Sequence, residues 1–191
     1  LGAEQSGFIM DMGYETYQKI INEAVEELGI ETGVEINRSR HSFSRDCTIE
    51  TNFQAFIPDD YLNVQAEKIR IYKQLDSMTS EKELDRMQNQ LKDRFGTIPQ
   101  EAENLFQVVK IRNLGASLGF EKIIIKNGML ICFFISNTMS PYYKSDVFAS
   151  VLQKISDHPG EYALKQTEKL KIVSHGVDNL SRAYALLAKL R

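Results

Sequence analysis

The sequence predicts an α+β fold: a small, largely antiparallel sheet packed by several helices and preceded by a separate N-terminal helix. Three observations point there. Residues 47–55 alternate apolar and polar side chains, the period of a half-buried strand. Asn127-Gly128 separates two apolar runs, a strong hairpin signal because a type I′ turn needs positive φ at both central positions. Around these strands, several segments repeat apolar residues every three to four positions, the period of a helix.

From the start, Leu1 to Gly7 is polar and glycine-punctuated, and it begins without a methionine, which leads us to expect a piece of a longer chain. Tyr14, Tyr17, Ile20, Ile21, Ala24, Val25 and Leu28 then share a helical face, with Gly29 at the C-terminal cap position. Residues 30–45 mix charge, Ser and Gly without period and read as a linker. In the strand from Cys47 to Ala55, the residues Cys47, Ile49, Thr51, Phe53 and Ala55 lie on one side. Pro58-Asp59-Asp60 ends it and offers an acidic start to a helix over about 60–77, with Leu62, Ile69, Tyr72 and Leu75 inward.

Ser80 and Glu83 have capping-box spacing, and the helix they open runs to Phe95 with Leu84, Met87, Leu91 and Phe95 inward. Gly96 is placed for a left-handed C-terminal residue, and Pro99 for the first turn of another helix. That helix buries Ala102, Leu105, Val109 and Leu118 and ends near Gly119. Strands follow at 121–126 and 129–135; the second has seven apolar residues in succession, so both of its faces are expected to be covered. A helix near 141–156, broken by His158-Pro159-Gly160, leads to short strands near 162–166 and 170–174. The closing helix turns Val177, Leu180, Tyr184 and Leu187 inward.

The 191 residues allow one domain or two small ones. At 42% hydrophobic and 26% charged the composition is that of a globular chain, and no run reaches the roughly 18 apolar residues of a membrane span. With two cysteines lacking CxxC spacing, a reducing, cytoplasmic setting is expected. Charge is uneven: residues 1–60 hold 12 acidic and 4 basic side chains, while the remainder holds 14 acidic and 19 basic. A pI near 5.7 argues against a dedicated nucleic-acid module and favours a protein partner.

No catalytic constellation is legible. The phosphate loop GxxxxGK[ST], GxGxxG, HExxH and GxSxG are all missing from the sequence. His41, His158 and His175 fall on a linker, a helix-breaking turn and a strand end. Cys132 sits in an apolar run and Cys47 on the inward side of its strand, and neither has the electropositive setting of a reactive thiol. Glu26-Glu27 reads as a solvated helix face and Asp59-Asp60 as a helix N-terminus rather than as general acid/base pairs. Tyr142 and Tyr143 could stack on bases, but beside Pro141 at a helix start packing is the commoner role. We therefore expect no cofactor, no metal site and no enzymatic activity.

A series of short motifs is more specific. Leu1-Gly2 through Gln5-Ser6-Gly7 comes first, then Met12-Gly13-Tyr14-Glu15-Thr16-Tyr17, then Ala55-Phe56-Ile57-Pro58-Asp59-Asp60-Tyr61. After these stand Arg70-Ile71-Tyr72-Lys73, Glu81–Leu84, Asp93-Arg94-Phe95-Gly96-Thr97-Ile98-Pro99, and Leu118-Gly119-Phe120-Glu121-Lys122-Ile123. In this order and spacing the chain resembles the C-terminal region of the bacterial transcription-repair coupling factor (Mfd) family, closely over 1–120 and loosely beyond. The resemblance implies a division into residues 1–45, the tail of the motor's translocation motif with a helix and linker, and residues 46–191, a C-terminal regulatory domain. Gln5 and Gly7 would be remnants of that motif; the ATP-dependent DNA translocase itself, and its contact with DNA, would lie in the longer protein.

The resemblance further implies that the regulatory domain docks on a UvrB-like N-terminal module of the same protein. There it masks the surface that binds UvrA, while RNA polymerase and UvrA are partners of the whole protein. The family pattern E-L-x-D-R-F-G, here Gln90-Leu91-Lys92-Asp93-Arg94-Phe95-Gly96, carries the positions implied to dock: Gln90, Asp93 and Arg94. Gln90 departs from the usual Glu. On a helix, 90 and 93 are neighbours on one face. The competing readings are an accessory module that binds nucleic acid or contacts RNA polymerase, and a small enzyme or ligand-binding domain with a pocket that sequence does not reveal.

Overall fold

The computed structural model describes residues 47–191, which form two compact units. The first is built from Gln54–Phe106 and the second from residues 47–53 with Gln107–Arg191. The predicted helix at 14–28, the linker, Gln5, Gly7, His41 and Glu26-Glu27 lie outside the described residues.

In the first unit, two bonds from Tyr61 and Leu62 to the Pro58 carbonyl close a turn. Val64, extended at φ −86°, then caps α1 (Gln65–Ser77). The helix thus begins later than the acidic pair suggested. Asp59 sits ahead of it and ion-pairs with Lys68, and Leu62 is buried before the helix starts. Ile71, Tyr72 and Leu75 form the buried stripe of α1, whereas Ile69 is only half-buried. The second helix, α2 (Glu81–Phe95), begins where the sequence placed it and buries Leu84, Met87 and Leu91. Its cap differs: Ser80 occupies the N-cap with no side-chain hydrogen bond, so the capping box is not made. Phe95 is half-buried and meets the ring of Tyr61 edge-on at 6.0 Å. Gly96 has the expected positive φ of 88°, but its ψ of −158° takes it out of the left-handed helical region. Pro99 precedes α3 (Gln100–Ser117), whose Ala102 and Glu103 N–H groups donate to the Pro99 carbonyl and whose residues after Phe106 belong to the second unit.

The second unit is a five-stranded sheet in the order β1-β2-β3-β5-β4. The strands are β1 (Thr48–Thr51), β2 (Phe120–Lys126), β3 (Met129–Phe134), β4 (Ala163–Gln166) and β5 (Leu170–His175). All pairings are antiparallel except β1 with β2, which is parallel. The β2–β3 turn has the expected geometry, with φ 54° at Asn127 and 70° at Gly128. β1 is shorter than its alternating pattern because pairing ends at Thr51.

One sheet face is core: Ile49, Ile123, Ile125, Leu130, Cys132, Phe134 and Ile172 are at most 1% exposed. The other face of β3 is covered only in part, where its seven apolar residues suggested full cover: Met129, Ile131 and Phe133 are half-buried. The expected helix over 141–156 is split. Pro141–Lys144 forms a 3₁₀ turn, and Ser145 then caps α4 (Asp146–Asp157). α5 (Leu180–Lys189), capped by Asn179, closes the chain with Leu180 and Leu187 buried and Tyr184 half-buried.

In this unit the backbone at Gly119 lies directly against the Tyr142 ring. The Gly119 φ is +84°, and a Cβ there would lie 2.1 Å from that ring. Tyr142 is fully buried, donates its hydroxyl to the Leu118 carbonyl at 2.6 Å, and packs against Phe148 at 5.2 Å between ring centres.

Candidate functional site

Within the first unit, α1 and α2 border an open groove of about 370 Å³. From α1 come Glu67, Arg70, Ile71 and Gln74; from α2 come Met87, Gln90, Leu91, Asp93 and Arg94. Helical periodicity explains the division of labour. Ile71, Met87 and Leu91 belong to the buried stripes and make an apolar floor, while Glu67, Gln74, Gln90 and Arg94, three or four positions away, make a polar and charged rim together with Arg70 and Asp93.

The rim is partly pre-set. Arg94 donates from Nη1 to Glu67 Oε1 at 2.9 Å, and Arg70 Nη1 stands 3.6 Å from Glu67 Oε2. The Arg94 guanidinium also lies 4.8 Å from the centre of the Phe95 ring. Beside it, Gln90 and Asp93 are exposed and make no hydrogen bond or ion pair among the described residues. The three positions singled out by sequence therefore meet in one groove, two of them unengaged and the third braced. Glu67 and Gln74 had no sequence signal, because their role depends on α1 crossing to residues some 16–27 positions away. The arrangement offers a carboxylate, an amide and an oriented guanidinium over an apolar floor: a recognition surface of mixed sign, without a nucleophile or a histidine.

The remaining candidates are dispersed. Cys47 and Cys132 are buried, and burial, then the neighbouring Cys47, pushes the Cys132 thiol well above its usual range. His158 Nδ1 lies 3.0 Å from the Lys154 carbonyl, and His175 is exposed at the end of β5. Among the described residues no three His, Cys, Asp or Glu side chains converge to hold a metal, and no helix is long and apolar enough to cross a membrane. Tyr142 is inside the core, and the half-buried Tyr143 donates its hydroxyl to the Ile135 carbonyl and packs its ring against Tyr142 and Phe148 at 5.4 and 5.0 Å between centres, so packing is the role of both.

Comparison with known proteins bears on this geometry. Residues 51–145 match the TRCF domain family. The chain is 31% identical over 179 residues to the transcription-repair-coupling factor of Rickettsia typhi, covering 93% of this chain and 15% of that protein. It is 30% identical over 194 residues to that of Haemophilus influenzae, spanning all of this chain and 16% of that protein, and 28% identical over 176 residues to that of Escherichia coli K12. The chain thus spans about one sixth of the length of the relatives it matches. A crystal structure of the C-terminal domain of a transcription-repair coupling factor superposes with a TM-score of 0.61 at 18% identity, over 76% of this chain and 88% of that one, a likeness of fold. The matched stretch contains α1, α2 and the groove between them. On these grounds the chain belongs to the TRCF-domain family, as a C-terminal domain of the transcription-repair-coupling-factor type.

Proposed function

We propose that residues 46–191 act as a non-catalytic regulatory domain of a longer transcription-repair coupling ATPase. The groove between α1 and α2 docks on that protein's UvrB-like module and covers the UvrA-binding surface until the motor engages. One observation carries this reading: Gln90 and Asp93 stand exposed and unengaged beside an Arg94 already oriented by Glu67. An arginine arriving from a partner would find a free carboxylate, and a carboxylate would find a braced guanidinium. Charged rims of this kind set specificity and allow release. Autoinhibitory switches run on couplings of about 1–3 kcal/mol, which a few such contacts supply.

The test is UvrA binding to the full-length protein with and without residues 48–191, and with Asp93→Arg. Deletion should tighten UvrA binding about tenfold or more, and the charge reversal should reproduce much of that gain. Binding unchanged by either would end the masking role and direct attention to RNA polymerase or the motor as the partner. Comparison within one polypeptide is needed because tethering gives effective concentrations up to about millimolar, so the same surfaces can appear inert in trans.

A further inference from the structure

The outer face of the sheet in the second unit carries a second, distinct surface. Cross-strand register places Thr48 and Glu50 of β1, Lys122, Ile124 and Lys126 of β2, and Met129, Ile131 and Phe133 of β3 on this side. Lys171, Val173 and His175 of β5, with Ala163 and Lys165 of β4, complete it. Apart from Val173, every one of these is half-buried or exposed, whereas on the inner face the central residues Ile49, Ile123, Ile125, Leu130, Cys132 and Ile172 are at most 1% exposed and the edge, at Leu164, opens to solvent. A sheet side lying under a helix layer would read as the inner one does.

Its pattern is ordered. An apolar lane runs along β3, formed by Met129, Ile131 and Phe133 and widened by Ile124 and Val173. Lys122 and Lys126 border it on one side; Lys171 and, a strand further out, Lys165 border it on the other. Adjacent strands are about 4.8 Å apart, so the β2 and β5 rows are separated by about 10 Å. That is the diameter of an α-helix with its side chains. The one carboxylate on this side, Glu50, is spent on its own strand neighbours, with Lys122 at 2.5 Å and Lys126 at 3.4 Å. Lysines therefore outnumber carboxylates four to one along the lane.

We infer that this face is a docking site for an acidic amphipathic helix of a partner protein, laid along β3. Apolar side chains of the helix fill the lane and Glu or Asp on its two flanks meet the lysine rows. Single-stranded nucleic acid suits it less well. The lane's one aromatic ring, Phe133, is already covered by Lys171, whose Nζ lies 5.5 Å from the ring centre, and bases need open rings to stack on. Pairing of two copies through this face would set lysine against lysine.

The site is separate from the α1–α2 groove, and it is tested on the 191-residue chain by backbone NMR. The probes are a designed 18-residue helical peptide with leucines on one face and glutamates on the flanks, its glutamate-to-lysine counterpart, and a 20-nucleotide oligo-dT. We expect the acidic peptide alone to shift amides of β2, β3 and β5, and the Lys165→Glu/Lys171→Glu variant to weaken it at least tenfold while leaving the spectrum dispersed. Those two lysines are at the surface, so the variant keeps the core. Perturbations confined to the α1–α2 groove, equal binding of the lysine peptide, binding of oligo-dT in its place, self-association through β3, or no binding would each overturn the inference.

Discussion

Single atoms decide several things here. Gly119 combines φ +84° with a site where a Cβ would lie 2.1 Å from the Tyr142 ring. A Gly119→Ala change meets strain and overpacking together and should cost about 3 kcal/mol in urea unfolding. Ser174 is the opposite case. Its hydroxyl is buried in β5 with no hydrogen-bond partner among the described residues, and such an orphan costs roughly 1–3 kcal/mol. Ser174→Ala should therefore raise the melting temperature by about 2–4 °C; a fall would mean the hydroxyl has a role that its surroundings do not reveal. Neither position is legible in the sequence. Gly119 stands where many helices end, and Ser174 is an ordinary strand residue until its neighbours surround it.

At the scale of elements, caps separate what spacing promises from what geometry delivers. Ser145 accepts a bond from the Phe148 N–H at 3.3 Å and Asn179 from the Arg182 N–H at 2.7 Å, whereas Ser80 makes none. Replacing Ser145 or Asn179 by Ala should each cost about 1 kcal/mol, while Ser80→Ala should stay within about 0.3 kcal/mol. Three matched denaturation curves check this. A capping box needs a rotamer as well as a spacing, and only spacing is written in a sequence. Helices α1 and α2 were otherwise readable because each carries a buried stripe, whereas α3 is buried over most of its circumference and was readable from its length and its Pro99 and Gly119 boundaries. The 3₁₀ turn before α4 was hidden because Pro141 suits the start of either helix type, and the Ser145 cap behind it looks like any helical serine.

For the whole molecule, charge ties the second unit together and makes it sensitive to acid. Glu121 loses solvation by burial, which raises its pKa, but hydrogen bonds from Ser136 and Lys169 outweigh this and hold it below the usual range. Glu50 is lowered chiefly by its hydrogen bond from Lys122. A carboxylate depressed in the folded state adds stability above its unfolded pKa of about 4.3 and loses it as pH falls through the folded value. Wild type and Glu121→Gln should therefore differ in stability at pH 7 and converge only once the pH has fallen through the lowered folded-state value, as thermal unfolding at stepped pH would show. A gap that persisted in acid would place the effect in packing instead of charge.

What the sequence determined by itself was local: helix and strand identity, the Asn127-Gly128 turn, and the motif series that placed Gln90, Asp93 and Arg94 on one helix. Periodicity and turn chemistry act over a few residues and need no knowledge of the fold. Tertiary structure alone decided that Glu67 braces Arg94 from another helix, that β1 joins its neighbour in parallel, and that the seven apolar residues beginning at Met129 are fully buried on one side only. An unbroken apolar run reads the same whether its second face is covered or left half-open to solvent, because hydrophobicity favours burial without naming what does the burying.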